Sequence, residues 1–115
     1  MSDSKKVIKV GIIGCGEVAQ VIWLPTLHLL NRYFHVKAID DASSSAVAFC
    51  LQRYPTVVRT AATQICTDAE IGVVFVLSSD DTHEKFVLEA LANGKNVFVE
   101  KPMTLSHARC DLVSI

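Results

Sequence analysis

Three small residues near the amino terminus have the types and the spacing to bind a phosphate group. Gly14, Gly16 and Ala19 fit the pattern G-x-G-x-x-G/A, which joins a strand to a helix in dinucleotide-binding proteins. Gly14 permits a tight turn, Gly16 lets the backbone approach a pyrophosphate, and Ala19 lets the helix pack against the strand. The positive end of that helix then faces the phosphates. The pattern predicts a pyrophosphate site, although a ligand-free turn between strand and helix is the plainer alternative.

Two carboxylates follow the second predicted strand at a distance from the glycine turn that suits a ribose. Asp40 and Asp41 end this strand, and an acid there hydrogen-bonds the adenosine ribose hydroxyls. Such an acid favours NAD over NADP, because it repels a 2′-phosphate. Side chains alternate along a strand, so only one of the two can point into the cofactor crevice. The run Asp-Asp-Ala-Ser is also a good helix N-cap sequence, and both interpretations can hold, one acid for each.

The elements that would position these residues alternate between strands and helices. We predict strands over residues 7–13, 34–40, 57–58, 73–77 and 96–99, and helices over residues 17–30, 46–54, 60–70, 82–92 and from 105 onward. The strands are apolar, as in parallel strands covered on both faces. Right-handed crossovers then give an α/β fold with a doubly wound, mostly parallel sheet in the order 3-2-1-4-5, in a single three-layer domain.

Two local signals refine the predicted helices. The first helix is expected to be well buried, because apolar side chains recur along it at helical spacing: Val18, Val21, Ile22, Leu24, Leu27, Leu29 and Leu30. Pro25 is expected to kink or split it. Asn93 and Gly94 are expected to end the helix over residues 82–92 in a left-handed cap.

The composition is typical of a soluble globular domain. The chain has 115 residues, of which 50% are hydrophobic and 20% charged, with a net charge of -1. No basic run indicates nucleic acid or a membrane surface, and no apolar run is long enough to cross a bilayer. The four cysteines, Cys15, Cys50, Cys66 and Cys110, show no metal-binding spacing, so we expect reduced thiols, no metal and a cytoplasmic protein.

Several motifs together resemble the N-terminal half of the glucose-fructose oxidoreductase/inositol dehydrogenase family (Gfo/Idh/MocA). They are VGIIGCGEVA at the glycine turn, the acid after AID, SSDDTH after the fourth strand and, most specifically, GKNVFVEKPM after the last helix cap. The resemblance implies NAD(P)-dependent oxidation or reduction of a sugar, a polyol or a related carbonyl compound. It also favours Asp41 over Asp40 as the acid on the ribose.

The resemblance assigns further roles around the nicotinamide. Lys101 is expected to be catalytic, since its ammonium can polarise a carbonyl or stabilise a developing alkoxide as hydride moves. Glu100 is expected to contact the nicotinamide ribose or to hold Lys101 in place. Without the resemblance, Lys101 would be a solvent-facing lysine before a turn proline.

The remaining expected cofactor residues flank the glycine turn and the fourth strand. Glu17 and Val18 lie in the first helical turn, and the Glu17 side chain is expected to point away from the phosphates. Ser78, Asp80 and His83 follow the fourth strand, with Asp80 where the family often has a neutral amide. For His83, the alternative is a polar residue on an exposed helix face.

Two hypotheses follow for function. The chain is either the cofactor-binding half of an NAD(P)-dependent oxidoreductase or a stand-alone, non-catalytic dinucleotide-binding or regulatory module. The family continues into a second domain that builds most of the substrate pocket, and the 115 residues hold only the dinucleotide-binding domain. A small-molecule substrate therefore requires that second domain to be supplied. The expected cofactor is NAD, ahead of NADP, and S-adenosylmethionine is a third possibility that the Glu-Lys-Pro motif argues against.

The missing second domain also has a consequence for assembly. Apolar surface near the fifth strand would be left exposed, and such patches commonly become interfaces. We therefore expect a homo-oligomer or a partner chain over this sheet edge.

Overall fold

The fold is a five-stranded parallel sheet between two layers of helices. The computed structural model describes residues 6–78 and 82–99. Within them the strands are β1 (Ile8–Ile13), β2 (Phe34–Asp40), β3 (Val58–Arg59), β4 (Ile71–Val76) and β5 (Asn96–Val99). The strands lie in the order β3-β2-β1-β4-β5, and each neighbouring pair is parallel. The predicted doubly wound sheet and its order are confirmed.

The helices of the described residues connect these strands as crossovers. They are a π-helical segment (Ala19–Trp23) that runs into α1 (Leu24–Leu29), then α2 (Ser44–Arg53), α3 (Ala62–Thr67) and α4 (Thr82–Ala92). The π-helical segment follows helical residues at 17 and 18, so the predicted start at residue 17 is confirmed. The helix predicted over residues 105–115 lies outside the described residues.

Each face of the sheet has its own apolar core. On one face, Val10 and Ile12 of β1 pack with the π-helical segment, α1 and α2, whose buried members include Leu24 and Val47. On the other face, Val74 and Val76 of β4 pack with α3 and α4, whose buried members include Ile65, Val87 and Ala90. The alternation of β-strand side chains therefore supplies two cores, as the three-layer prediction requires.

Pro25 explains the π-helical segment that precedes it. A proline has no N–H, and its ring displaces the carbonyl four residues earlier, so the regular α-helical pattern fails at this point. The chain responds with a wider turn, in which the N–H of Leu24 donates to the carbonyl of Ala19, five residues back. The predicted interruption at Pro25 is thus observed as a π-helical turn.

The predicted burial of this first helix is wrong for part of its surface. Only a narrow stripe faces the sheet, with Ala19, Leu24 and Leu27 buried. Four other apolar side chains are exposed to solvent: Val21 by 63%, Ile22 by 48%, Leu29 by 81% and Leu30 by 40%. The helix carries apolar residues around most of its circumference, and only one face can contact the sheet. Periodicity alone does not identify that face.

The end of α4 has the predicted conformation. Gly94 has a φ of 77°, and its N–H donates to the carbonyl of Leu91. This confirms the left-handed cap at the end of α4. The described residues contain no helix that is long and apolar enough to cross a membrane.

An ion-pair cluster lies at the amino-terminal edge of the sheet. The Lys37 ammonium of β2 is 2.6 Å from a carboxylate oxygen of Asp68 and 2.9 Å from one of Glu70, and Lys9 of β1 is 3.4 Å from Glu70. The hydrogen bonds from Lys37 lower the pKa of Asp68 and that of Glu70 and raise the pKa of Lys37. The cluster links the turn before β4 to strands β1 and β2.

Replacement of this lysine is expected to change how stability depends on pH. Asp68 and Glu70 have depressed pKa values in the folded chain. Their ion pairs with Lys37 therefore contribute to the free energy of unfolding above about pH 4.5, and this contribution is lost as the pH falls further. The raised pKa of Lys37 maintains it up to about pH 10. We therefore expect Lys37→Met to lower the free energy of unfolding more at pH 7 than at pH 3.

Urea denaturation across this pH range checks the prediction. Lys6→Met is the matched control, because Lys6 is an exposed lysine just before β1. A deficit of Lys37→Met that stays constant from pH 7 to pH 3 would contradict an ionic origin.

Candidate functional site

The glycine turn begins where β1 meets the end of β4. Gly14 has a φ of 114°, and its N–H donates to the carbonyl of Asp40 at 2.8 Å. A Cβ atom at Gly14 would meet the backbone of the chain just after β4, with the Leu77 carbonyl carbon only 2.6 Å away. Both the conformation and the close approach therefore require glycine at this position.

Gly16 has the opposite environment. A Cβ atom there would meet nothing within 4 Å, and the residue faces an open cavity. The turn around it is fixed by Gln20, whose side-chain amide donates to the carbonyl of Cys15 at 2.7 Å. The space beside Gly16 is therefore a preformed cradle that a side chain would fill, as expected where a phosphate approaches the backbone.

The two acids after β2 have separate roles. One oxygen of Asp41 accepts a hydrogen bond from the N–H of Cys15 at 2.6 Å, and the other accepts from the N–H of Ser43 at 2.7 Å. Asp40 instead accepts from the Arg59 Nε–H at 3.1 Å and from the N–H of Ala62 at 2.8 Å. Asp41 therefore contacts the glycine turn, whereas Asp40 binds the first N–H of α3.

The predicted N-cap role of these acids needs a correction. The helix that follows them, α2, is capped by Ser43, whose hydroxyl accepts from the N–H of Ala46 at 3.2 Å. Asp41 only orients the cap residue, by accepting the N–H of Ser43. Asp40 supports a different helix, α3, which is distant in sequence.

A cavity of about 450 Å³ opens at the carboxyl ends of the strands. It lies where the strand order reverses between β1 and β4, which is the usual ligand position in open α/β sheets. Its wall includes Gly14, Gly16, Arg59, Ser78 and Phe86. Both Asp40 and Asp41 also line it, whereas the alternation of side chains along the strand predicted only one acid there. The volume is within the range of small-molecule sites.

Apart from His83, the expected cofactor residues and the expected catalytic residue, Lys101, fall into three groups. Four of them line the cavity: Gly14, Gly16, Asp41 and Ser78. Glu17 is exposed and Val18 is half-buried, both in the first helical turn beside the cradle. Asp80, Glu100 and Lys101 lie outside the described residues.

His83 is buried beneath the end of β4 and does not line the cavity. It is 2% exposed, so the alternative of an exposed helix face is wrong. Its Nδ1–H donates to the carbonyl of Ser78, since a carbonyl can only accept. Its Nε2 and the Ser78 hydroxyl are both buried and lack a hydrogen-bond partner in the described part of the chain. Ser78 lines the cavity, so its orphaned hydroxyl is consistent with a ligand that satisfies it.

The described cysteines have the properties of core residues. Cys15, Cys50 and Cys66 are unpaired and buried. Burial raises the pKa of all three, that of Cys66 to about 11. They therefore remain protonated at neutral pH, which does not suit a nucleophile or a metal ligand. The described residues hold no cluster of metal-ligating side chains.

Arg59 is a cavity residue that the sequence interpretation missed. It ends β3, a strand of only two residues, both exposed, which gives almost no periodic signal. A usable signal did exist, because β3 adjoins β2 in the predicted order. The carboxyl ends of adjacent parallel strands lie at the same edge of the sheet, so the predicted strand order implies that Arg59 lies near Asp40.

The sequence matches a family described as an oxidoreductase family with an NAD-binding Rossmann fold, Gfo/Idh/MocA, over residues 8–114. The chain belongs to this family. A related protein, inositol 2-dehydrogenase from Burkholderia cenocepacia, is 30% identical over 108 residues, which cover 90% of this chain and 31% of that protein. The chain thus spans about a third of the length of the curated relatives it matches.

Solved structures give the same fold. A dehydrogenase from Clostridium difficile superposes with a TM-score of 0.79 at 25% identity, over 93% of this chain and 35% of that one. A 3-ketoreductase from Actinomadura kijaniata, solved with NADP and TDP-benzene, superposes with a TM-score of 0.80 at 24% identity, over 94% and 33%. At this identity the second likeness shows the fold alone.

The two glycines of the turn should respond differently to a methyl group. Gly14→Ala is expected to lower the free energy of unfolding by about 2–4 kcal/mol, because alanine is strained at positive φ and collides with the backbone after β4. Gly16→Ala should change it by about 0.5 kcal/mol or less, because its methyl group meets only open space. Chemical denaturation of both variants checks this, and equal losses would contradict it.

His83 is expected to be a structural support of the cavity wall. His83→Ala removes a buried ring and leaves the Ser78 carbonyl without its donor, so we expect a loss of about 2–4 kcal/mol. The control is His35→Ala, since His35 is exposed on β2 and should cost about 0.5 kcal/mol or less. Urea denaturation distinguishes the two, and a neutral His83→Ala would refute the structural role.

Proposed function

We propose that this chain is the cofactor-binding part of an NAD(P)-dependent oxidoreductase that acts on a sugar, a polyol or a related carbonyl compound. The contact that carries the proposal is the hydrogen bond from the N–H of Cys15 to Asp41. It joins the phosphate cradle to a carboxylate, and a dinucleotide uses both, the cradle for its pyrophosphate and the carboxylate for its adenosine ribose.

The fit of a dinucleotide to this end of the site rests on two features of the described residues. Gly16 leaves open the space that a pyrophosphate needs, and the first-turn N–H groups of Glu17 and Val18 have no acceptor within their own helix. Asp41 accepts two backbone N–H groups, yet a carboxylate has about four lone-pair sites. It can therefore accept the ribose hydroxyls as well.

The nicotinamide end of the proposal starts at Ser78. This residue lines the cavity, and its buried hydroxyl has no partner in the described residues. We assign it to the nicotinamide side of the cofactor, together with Asp80 and Glu100. His83 then acts from behind the wall, by fixing the Ser78 carbonyl.

Lys101 is the proposed catalytic residue. A bound nicotinamide supplies the hydride acceptor or donor. The Lys101 ammonium would donate a hydrogen bond to the substrate oxygen and stabilise the negative charge that develops on it. Glu100 would hold Lys101 or contact the nicotinamide ribose.

The substrate class is supported by a relative. The 30% identical protein from Burkholderia cenocepacia is named an inositol 2-dehydrogenase, so a polyol is the first substrate class to test. The second candidate function is a non-catalytic dinucleotide-binding or regulatory module, which requires only the cofactor cavity.

Two further proposals concern the setting of the protein. Free buried thiols are typical of reducing compartments, which supports a cytoplasmic location. A homo-oligomer or a partner chain over the sheet edge at β5 stays a prediction, which sedimentation at high concentration tests.

Cofactor binding is tested with a matched pair of glycine variants. The chain should bind NAD in a calorimetric titration, and Gly16→Ala should weaken binding by about tenfold or more, because its methyl group enters the phosphate cradle. Gly72→Ala is the control, since Gly72 lies in β4 and a Cβ there makes only an ordinary contact with Ile8, at 3.7 Å. Failure to bind NAD, NADP or S-adenosylmethionine would remove the proposed function.

Turnover separates the two candidate functions. NADH formation is followed with inositol and a panel of other polyols, for the chain and for Lys101→Met. An active chain that loses turnover but keeps NAD affinity in Lys101→Met supports the oxidoreductase. Clear NAD binding without turnover on any substrate favours the non-catalytic module for the chain alone.

A further inference from the structure

The ribose end of the cavity holds a cation beside its acids. Arg59 lines the cavity together with Asp40 and Asp41. Its guanidinium donates to Asp40 Oδ1 at 3.1 Å, to the hydroxyl of Ser44 at 3.3 Å and to the main-chain carbonyl of Asp41 at 3.0 Å. The cation is therefore bonded directly to the residue that would hold the adenosine ribose.

We propose that Arg59 enables this site to accept NADP as well as NAD, by binding the 2′-phosphate beside Asp41. The inference rests on the proposed dinucleotide site and concerns only its ribose end. It changes the preference for NAD that the acid alone predicts.

The geometry of Arg59 suits a phosphate. A guanidinium carries five N–H groups in a planar fork, and the three contacts above use one on each nitrogen. One N–H on each terminal nitrogen remains for a bidentate contact with phosphate oxygens. The Ser44 hydroxyl accepts from Arg59 and keeps its own hydrogen to donate. Because three partners already hold the side chain, little ordering is needed on binding.

The charges around Asp41 weaken its repulsion of a phosphate. Asp41 is bonded through both oxygens to backbone N–H groups, which offset part of its negative charge. Asp40 is paired with Arg59. The side chains of Asp40, Asp41 and Arg59 together therefore carry a net charge of -1. The Arg59 guanidinium also donates a hydrogen bond to the main-chain carbonyl of Asp41. A 2′-hydroxyl can bind Asp41, and a 2′-phosphate can bind Arg59.

The test compares NAD and NADP in calorimetric titrations of the 115-residue chain and its variants. The wild-type dissociation constants are expected to agree within about tenfold. Arg59→Gln should weaken NADP binding by about tenfold or more and NAD binding by less than about threefold, because only NADP loses a charged partner. Adenosine 2′,5′-bisphosphate should compete with NADP better than AMP does, and Arg59→Gln should remove that advantage.

Two variants control the experiment. Arg53→Gln removes the same charge from α2, where Arg53 stacks on Phe49, and should leave the NADP to NAD ratio unchanged. Arg59→Lys keeps the charge but loses the planar fork of N–H groups. Its affinity for NADP relative to NAD should therefore lie between that of the wild type and that of Arg59→Gln. If Arg59→Gln does not fold by circular dichroism, the result with Arg59→Lys decides.

The outcomes separate this inference from the proposed function. If NAD binds and NADP is more than about a hundredfold weaker in the wild type, the inference is wrong while the cofactor site stands. Equal weakening of both cofactors in the Arg59 variants also overturns it. Absence of binding by either cofactor removes the proposed function together with the inference.

Discussion

The carboxylate of Asp41 holds together two of the loops that line the cavity. It accepts the N–H of Cys15 in the glycine turn and the N–H of Ser43 before α2, so the segments after β1 and β2 cannot move independently. The hydrogen bond from the N–H of Gly14 to the carbonyl of Asp40 repeats this link through the main chain. On the other side, Gly14 lies against the backbone after β4. The positions of the cradle, the acids and Ser78 all depend on these few contacts.

The two edges of the sheet have different chemistry for the same topological reason. All five strands are parallel, so every strand delivers its carboxyl end to one edge and its amino end to the other. The carboxyl edge holds open space at Gly16 and buried polar atoms of Ser78 and His83 that have no hydrogen-bond partner among the described residues. The amino edge holds the ion pairs of Lys37 with Asp68 and Glu70, which tie the strands together away from the cavity. The ion pairs and the cavity thus lie at opposite edges of the sheet.

The helix after the glycine turn shows how a local constraint affects packing. Pro25 forces the π-helical turn, and Trp23 at its end packs against both Phe75 of β4 and Phe98 of β5, with ring centroids 5.3 and 4.8 Å away. This one side chain therefore connects the helix that opens the cradle to the strand that leads toward Glu100 and Lys101. The apolar residues that face away from the sheet, such as Leu29, are left exposed.

The sequence by itself determined the glycine turn, the left-handed cap at Gly94 and the family, because each depends on a local pattern along the chain. It also determined the strand order, because strands and helices alternate along the chain and crossovers are right-handed. It did not determine which acid contacts which loop, that His83 is buried or which face of the first helix packs on the sheet, and it indicated only that Arg59 lies at the same sheet edge as Asp40. These depend on side chains from separate loops that meet only after folding. Asp40, for example, binds Arg59 and Ala62, which are 19 and 22 residues further along the chain. Periodicity and short-range spacing carry no information about such contacts, so only the tertiary structure decided them.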